Sequence, residues 1–310
     1  MANIVLLDGG LGQETIHRSS KPASPLWSTA VLMDEPDVVK SVHSDFIKAG
    51  ARVVTAATYP ITRPRLQMYG DETRFEELIG LALDTVMAAR DDANAHHVRI
   101  GGALPPLVAS YHPETTLPRS RLDELYAEMA GLMADQVDVF QCETMISLDE
   151  AVAATKAGAA TGKPVWTALS IKDDASGELR SGESLAETIH AVNEAGAEAI
   201  LINCSSPEAT GAVMPFLAAN TRYAGAYANG FVSVAPLRVA GTVDALSARR
   251  DLTPGAYADY ILKWVDQGAR IVGGCCEISP EHISVLAHRL TAAGHVIVSD
   301  FLPEPARQAS

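Results

Sequence analysis

Short β-branched runs alternate with longer Ala/Leu/Glu-rich stretches along the whole 310-residue chain. Runs of about four to eight apolar residues fit strands buried on both faces, and apolar positions recurring every three to four residues fit helices with one buried face. Eight strands are predicted at residues 4–7, 52–57, 98–103, 137–142, 164–171, 197–203, 223–228 and 270–273. The helices between and after them are predicted at 38–49, 73–93, 121–134, 148–160, 184–195, 207–219, 254–267 and 280–289. Three junctions share one grammar: Ala49-Gly50-Ala51, Ala195-Gly196-Ala197 and Gln267-Gly268-Ala269 each place glycine where a helix must stop before a buried strand. Glycine takes the left-handed cap there without steric cost.

Eight such units in an α/β chain predict a single (β/α)8 TIM barrel over residues 1–294, with a doubly wound open sheet as the alternative. Residues 295–310 read as a C-terminal tail, extended at Pro303-Glu304-Pro305. Helix-to-strand connections are short, whereas the strand-to-helix loops at 9–37, 104–120, 172–183 and 229–253 are long. In a barrel all four open on the C-terminal face of the strands, where active sites form. The 229–253 loop suits either a lid or a subunit contact, which leaves a homo-oligomer open.

At 47% hydrophobic and 20% charged residues, the chain has enough apolar material for a large core. Lys plus Arg number 24 against 38 Asp plus Glu, a net charge of −14. That balance argues against nucleic-acid or anionic-membrane partners and permits cationic small-molecule ligands. The first residues carry no basic segment, and the apolar run at 4–7 is too short for a signal or spanning segment, so a cytoplasmic location is expected.

Candidate chemistry collects at the predicted strand ends. Asp8 follows strand 1, Glu143 follows strand 4, Cys204 follows strand 6, and Cys275-Cys276 follow strand 8. Each alone has an ordinary account as a turn cap, a helix N-terminal acid or a buried thiol. Together, three of the chain's four cysteines at two neighbouring strand ends suit Zn²⁺, which takes thiolate sulfur at about 2.3 Å and in catalytic sites keeps one position open. Gly273-Gly274 would give the backbone freedom for both adjacent cysteines to reach one ion. A Cys-Cys redox pair and a purely structural zinc site are the competing readings. Cys142 reads as core, and the nine histidines, lacking the spacing of a metal pair, read as surface or capping residues. The turn Asp8-Gly9-Gly10-Leu11-Gly12 has neither the P-loop ending nor the Rossmann spacing. Its amides suit a small carboxylate and Asp8 an ammonium group, which together describe an amino-acid ligand.

These residues resemble the homocysteine S-methyltransferase family, zinc-dependent barrels that include S-methylmethionine- and betaine-dependent enzymes. The resemblance runs through Asp8-Gly9-Gly10, Pro25-Leu26-Trp27-Ser28, Thr58-Tyr59, Glu143-Thr144, Asn203-Cys204, Gly273-Gly274-Cys275-Cys276 and Pro280-Glu281-His282-Ile283. It implies that Cys204, Cys275 and Cys276 hold zinc and that the substrate thiol takes the fourth position. It further implies that Asp8 and Glu143 engage the homocysteine amino group, that amides near Gly9 and Gly10 meet its carboxylate, and that Trp27 lies in a loop covering the site. Trp27 there would either meet a cationic methyl donor with its ring face or simply plug the loop. The activity implied is methyl transfer to homocysteine giving methionine, with S-methylmethionine as first donor, S-adenosylmethionine next and betaine third. The chain departs from the family pattern at Met145-Ile146-Ser147, at Glu277-Ile278-Ser279 and at Leu104-Pro105-Pro106, positions that bear on the donor and the acceptor. Another thiol or selenol acceptor, or a non-catalytic module binding zinc and sulfur amino acids, remains as the alternative.

Overall fold

A computed structural model describes residues 1–22, 24–174 and 176–301. Its strands are β1 (Asn3–Leu6), β2 (Val53–Thr55), β3 (Arg99–Leu104), β4 (Val139–Met145), β5 (Val165–Leu169), β6 (Ala199–Asn203), β7 (Ala224–Tyr227), β8 (Ala269–Val272) and β9 (Val296–Val298). All pair in parallel, in the order β2-β3-β4-β5-β6-β7-β8-β1-β9. A parallel bridge between Leu7 and Val53 brings the two ends of the eight-strand series together. Arg52 N donates to Leu6 O at 2.7 Å and Asp8 N to Val53 O at 3.0 Å across this seam, so the sheet closes and the open-sheet alternative falls.

The helices are α1 (Leu11–Arg18), α2 (Ser28–Asp34), α3 (Pro36–Ala49), α4 (Arg63–Tyr69), α5 (Phe75–Asp92), α6 (Arg119–Met133), α7 (Leu148–Ala160), α8 (Leu185–Glu194), α9 (Pro207–Asn220), α10 (Pro254–Asp266) and α11 (Pro280–Ala292). Ser147, Ser184, Ser206 and Thr253 accept from backbone amides at the starts of α7, α8, α9 and α10, each such cap being worth roughly 1 kcal/mol. Gly50, Gly196 and Gly268 all take positive φ, as the repeated junction grammar requires. The barrel interior is filled by Val5, Leu7, Val53, Val139, Trp166, Leu201 and Ile271 with their neighbours, while the larger apolar layer lies between strands and helices. Among the described residues no helix is long and apolar enough to cross a membrane.

Three features differ from expectation. The 9–37 segment is not an open loop: it contains α1 and α2, which are too short for their periodicity to stand out. Residues 296–298, placed in the tail by the sequence pattern, form β9 on β1. This three-residue strand splints the lower part of the edge that β2 closes above. Asp300 then accepts from Arg99, and Phe301 stacks on Tyr223 at 4.2 Å between ring centroids. The Pro303-Glu304-Pro305 stretch lies outside the described residues. Finally, His43 is neither surface nor cap but fully buried on α3, and burial pushes its pKa down to about 3, so the ring is neutral.

Two glycine substitutions should move stability in opposite directions. Gly268 has φ +117°, and an added Cβ would stand 2.6 Å from the Ala218 methyl, so Gly268→Ala should cost about 2 kcal/mol or more. Gly80 sits inside α5 with open space around a Cβ, so Gly80→Ala should add up to about 1 kcal/mol. Urea midpoints at unchanged m-value measure both.

Candidate active site

A cavity of about 180 Å³ opens at the C-terminal ends of the strands. Asp8, Gly9, Gly10, Trp27, Glu143, Cys204, Cys275 and Cys276 all line it, so every predicted site residue comes to one place. The 229–253 loop covers it as a lid through Phe231, Leu237, Arg238 and Leu246. The lid is held by Gly230 N donating to Cys276 O at 2.8 Å and by contact of the His112 ring with Leu237 O at 3.0 Å.

The backbone around the cavity is strained. Trp27, Tyr111, Thr144 and Cys204 line it with φ of 50°, 67°, 58° and 48°. Left-handed backbone costs a side-chain-bearing residue roughly 1–2 kcal/mol, and it persists where surrounding contacts over-determine it. Those contacts are visible here. Thr144 N donates to Asn203 Oδ1 at 2.9 Å, Asn203 Nδ2 to Thr144 Oγ1 at 3.1 Å, and Thr144 Oγ1 to Cys204 Sγ at 3.3 Å. A register shift between Cys142 and Met145 accompanies the turn at Glu143-Thr144.

Cys204, directly after β6, faces Cys275 sulfur to sulfur, with Cα atoms 6.0 Å apart. Cys276 is a buried free thiol, as is Cys142, which belongs to the core as expected. Hydrogen bonds from Cys275 and then Cys276 hold Cys204 well below the ordinary thiol range, whereas Cys275 and Cys276 are pushed up. The cluster by itself therefore favours one thiolate and resists a second. Among the described residues no three His, Cys, Asp or Glu side chains stand spread around a metal position. The expected zinc ligands Cys204, Cys275 and Cys276 are gathered on one wall of the cavity.

The carboxyls are built differently. Asp8 accepts from Thr55 N at 2.8 Å and Thr55 Oγ1 at 3.2 Å, yet burial outweighs both and lifts its pKa to about 7. Glu143 accepts from the Tyr227 hydroxyl at 3.0 Å, but burial, with the charges of Asp8 and Cys204, raises it to about 8. Among the described residues neither carboxyl has a cationic partner.

The glycine turn corrects one expectation. A Cβ on Gly10 would stand 2.6 Å from Cys275 O, so glycine is needed for this turn to lie on the cysteine loop. Gly10 N is already spent on Ile278 O at 2.9 Å, which removes it from any carboxylate cradle. Trp27 rests on Gly12, where a Cβ would fall 2.5 Å from the indole, and meets Tyr59 edge-on at 5.9 Å. It therefore plugs the loop and lines the cavity at once.

Sequence reading gave no role to Tyr227, Tyr111, Thr144 or Asn203. Asn203 and Tyr227 end β6 and β7, so the strand-end rule that found Asp8 and Glu143 pointed at them too. The hydrogen bonds that employ them come from other strands, and no local pattern announces those.

A family model described as homocysteine S-methyltransferase matches residues 5–290. The chain belongs to the homocysteine S-methyltransferase family. It is 28% identical to the homocysteine S-methyltransferase of Escherichia coli (strain K12), over 93% of this chain and 95% of that protein. It is 24% identical to the selenocysteine Se-methyltransferase of Brassica oleracea var. italica, over 93% of this chain and 89% of that one. Its fold is similar to the crystal structure of the homocysteine methyltransferase MmuM from Escherichia coli in metallated form, with a TM-score of 0.78 at 24% identity, covering 93% and 96% of the two chains. The family, the barrel fold and the enzyme class expected from the sequence are thereby borne out: the protein is an S-methyltransferase.

Carboxyls raised by burial make this methyltransferase less stable as pH rises. The folded state holds the Glu143 proton more tightly than the unfolded chain, so the contribution is full below about pH 4.5 and lost as pH climbs through about 8. Glu143→Gln, which keeps an acceptor for Tyr227, should match the wild type near pH 4 and exceed it at pH 8 by about 1–3 kcal/mol. Denaturation curves at the two pH values measure the difference, and an equal gain at both would contradict the assignment.

Proposed function

We propose that the methyltransferase is zinc-dependent and moves a methyl group from S-methylmethionine to homocysteine, yielding two methionines. The observation that carries this reading is the convergence of three cysteine sulfurs on one cavity wall that also holds two carboxyls lacking a cation. The donor set suits the metal: the sulfurs of buried Cys204 and Cys276 and of half-buried Cys275 lie together on the cavity wall. Bound by Cys204, Cys275 and Cys276, zinc would supply the Lewis acidity that lets a thiol ionise near neutral pH.

The remaining work falls to the chain. Asp8 and Glu143 pair with the substrate ammonium, which restores their ionised forms, and Tyr227 holds Glu143 in place for it. The Gly12 and Gln13 amides of α1, at the positive end of the helix, receive the carboxylate in place of Gly10. Three cysteinates carry one charge more than a divalent ion cancels, so this wall stays negative and draws the cationic head of the donor. The aromatic faces of Trp27, Tyr59 and Tyr111 line the approach. In the transfer, the homocysteine sulfur gives an electron pair to the methyl carbon. The bond from that carbon to the sulfonium breaks, its pair staying on the departing thioether, and the thiol proton goes to solvent.

Cys204→Ser, Cys275→Ser and Cys276→Ser should each lower zinc content and reduce methionine formation at least about 100-fold. Metal analysis beside mass spectrometry of methionine, with S-methylmethionine, S-adenosylmethionine and betaine offered in parallel, measures both; a variant keeping zinc and activity would remove that cysteine from the site. Selenocysteine offered as a second acceptor separates thiol from selenol use, for which the Brassica oleracea relative is named.

A further inference from the structure

Arg65, on α4, is 8% exposed and lines the same cavity. Its Nε donates to Val108 O at 3.1 Å, Nη1 to Tyr59 O at 3.4 Å, and Nη2 to Pro106 O at 3.0 Å and Ser110 Oγ at 3.5 Å. The guanidinium carbon stands 5.4 Å from the centre of the Tyr59 ring. Every acceptor in this set is neutral. Carbonyls satisfy N–H groups but bring no net charge, so among the described residues the buried positive charge has no counterion in contact. Glu150 acts on it only through its field and is itself lifted by burial to about 7. Of the five N–H groups of a guanidinium, one on Nη1 has no acceptor among these contacts.

The charges lining the cavity are therefore divided. Asp8 and Glu143 lie with the sulfur cluster, while Arg65 is buried beyond Tyr59, and Arg238 is exposed on the lid. Tyr59 spans the two regions: its ring lies under Arg65, its hydroxyl lies against Ser110 Oγ at 2.8 Å, and the charge of Cys204 reaches it. A molecule with its cationic methyl-bearing head at the sulfurs and an anionic end toward Arg65 would match this division.

We propose that Arg65, with the Ser110 hydroxyl, anchors the carboxylate of the methyl donor, so that the enzyme selects onium donors carrying a carboxylate over the same onium head without one. The proposal rests on the methyl-transfer reading above and deepens it. The remaining Nη1 N–H can donate one charge-assisted bond to a carboxylate and the Ser110 hydroxyl a second, and the buried setting strengthens the contact. Homocysteine, held at Asp8 and Glu143, is untouched by the anchor.

The test offers zinc-loaded enzyme S-methylmethionine and its carboxamide, which keeps the sulfonium and removes the negative charge. Wild type should show a kcat/KM for the carboxamide lower by about 10-fold or more, with the KM for homocysteine equal for the two donors. Arg65→Met should lose that preference, bringing the two donors within about 2-fold of each other, and Arg65→Lys should keep an intermediate preference. A wild type indifferent to the carboxamide, or an Arg65→Met enzyme slowed equally with both donors, would overturn the proposal and leave Arg65 as a loop tie. Should Arg65→Met fail to fold, the wild-type preference and the Arg65→Lys ratio decide. If wild type forms no methionine from either donor, the methyl-transfer reading falls, while calorimetric binding of the acid and the amide to wild type and Arg65→Lys still decides the anchor.

Discussion

Closure of β1 onto β2 is the constraint from which the site follows. The bonds across this seam, Arg52 N to Leu6 O and Asp8 N to Val53 O, turn a row of strands into a ring, and the ring brings the ends of β1, β4, β6 and β8 to one mouth. Asp8 is part of the seam itself. Its amide closes the barrel while its carboxylate accepts from Thr55 just past the bridge, so the residue offered to a ligand is also pinned by the fold. β9 supports the same edge lower down, leaving the upper end free to form the cavity.

The second constraint is electrostatic. One cavity gathers two carboxyls pushed toward neutrality, a sulfur cluster that favours a single thiolate, and a guanidinium with neutral acceptors. Each is costly in low dielectric, and each cost falls when a ligand of opposite charge arrives. Among the described residues Asp8 and Glu143 have no cationic partner and Arg65 no anionic one, and three cysteines would need a divalent ion to ionise together. The free protein is thus polarised in advance toward the zwitterions and metal that the proposed chemistry requires, at the expense of its own stability. The same balance explains the strained backbone at Thr144 and Cys204, since the Asn203–Thr144 pair holds in place the turn that aims the thiol inward. Cys204 and Cys275 meet sulfur to sulfur, which brings the end of β6 against the loop after β8.

The strand and helix pattern was legible because burial on both faces writes itself into β-branched runs, and glycine at 50, 196 and 268 is demanded by local backbone geometry alone. Asp8, Glu143, Cys204, Cys275 and Cys276 were legible for a related reason: each stands within a few residues of a strand end, and in a closed parallel barrel all those ends share one face. α1 and β9 escaped because eight helical residues make only about two turns and three strand residues less than two full repeats, too few for a periodicity to show.

What the chain order could not contain is anything decided between segments distant in sequence. That Gly10 spends its amide on Ile278, that Tyr227 orients Glu143, that Arg65 meets only neutral acceptors, and that Cys204 faces Cys275 all depend on residues brought close by folding. The sequence by itself determined the barrel and which residue types reach its mouth, because local periodicity and strand ends are local properties. Only the tertiary structure decided their partners, burial and charge, because the energy of a buried polar group is set by what the rest of the chain places around it.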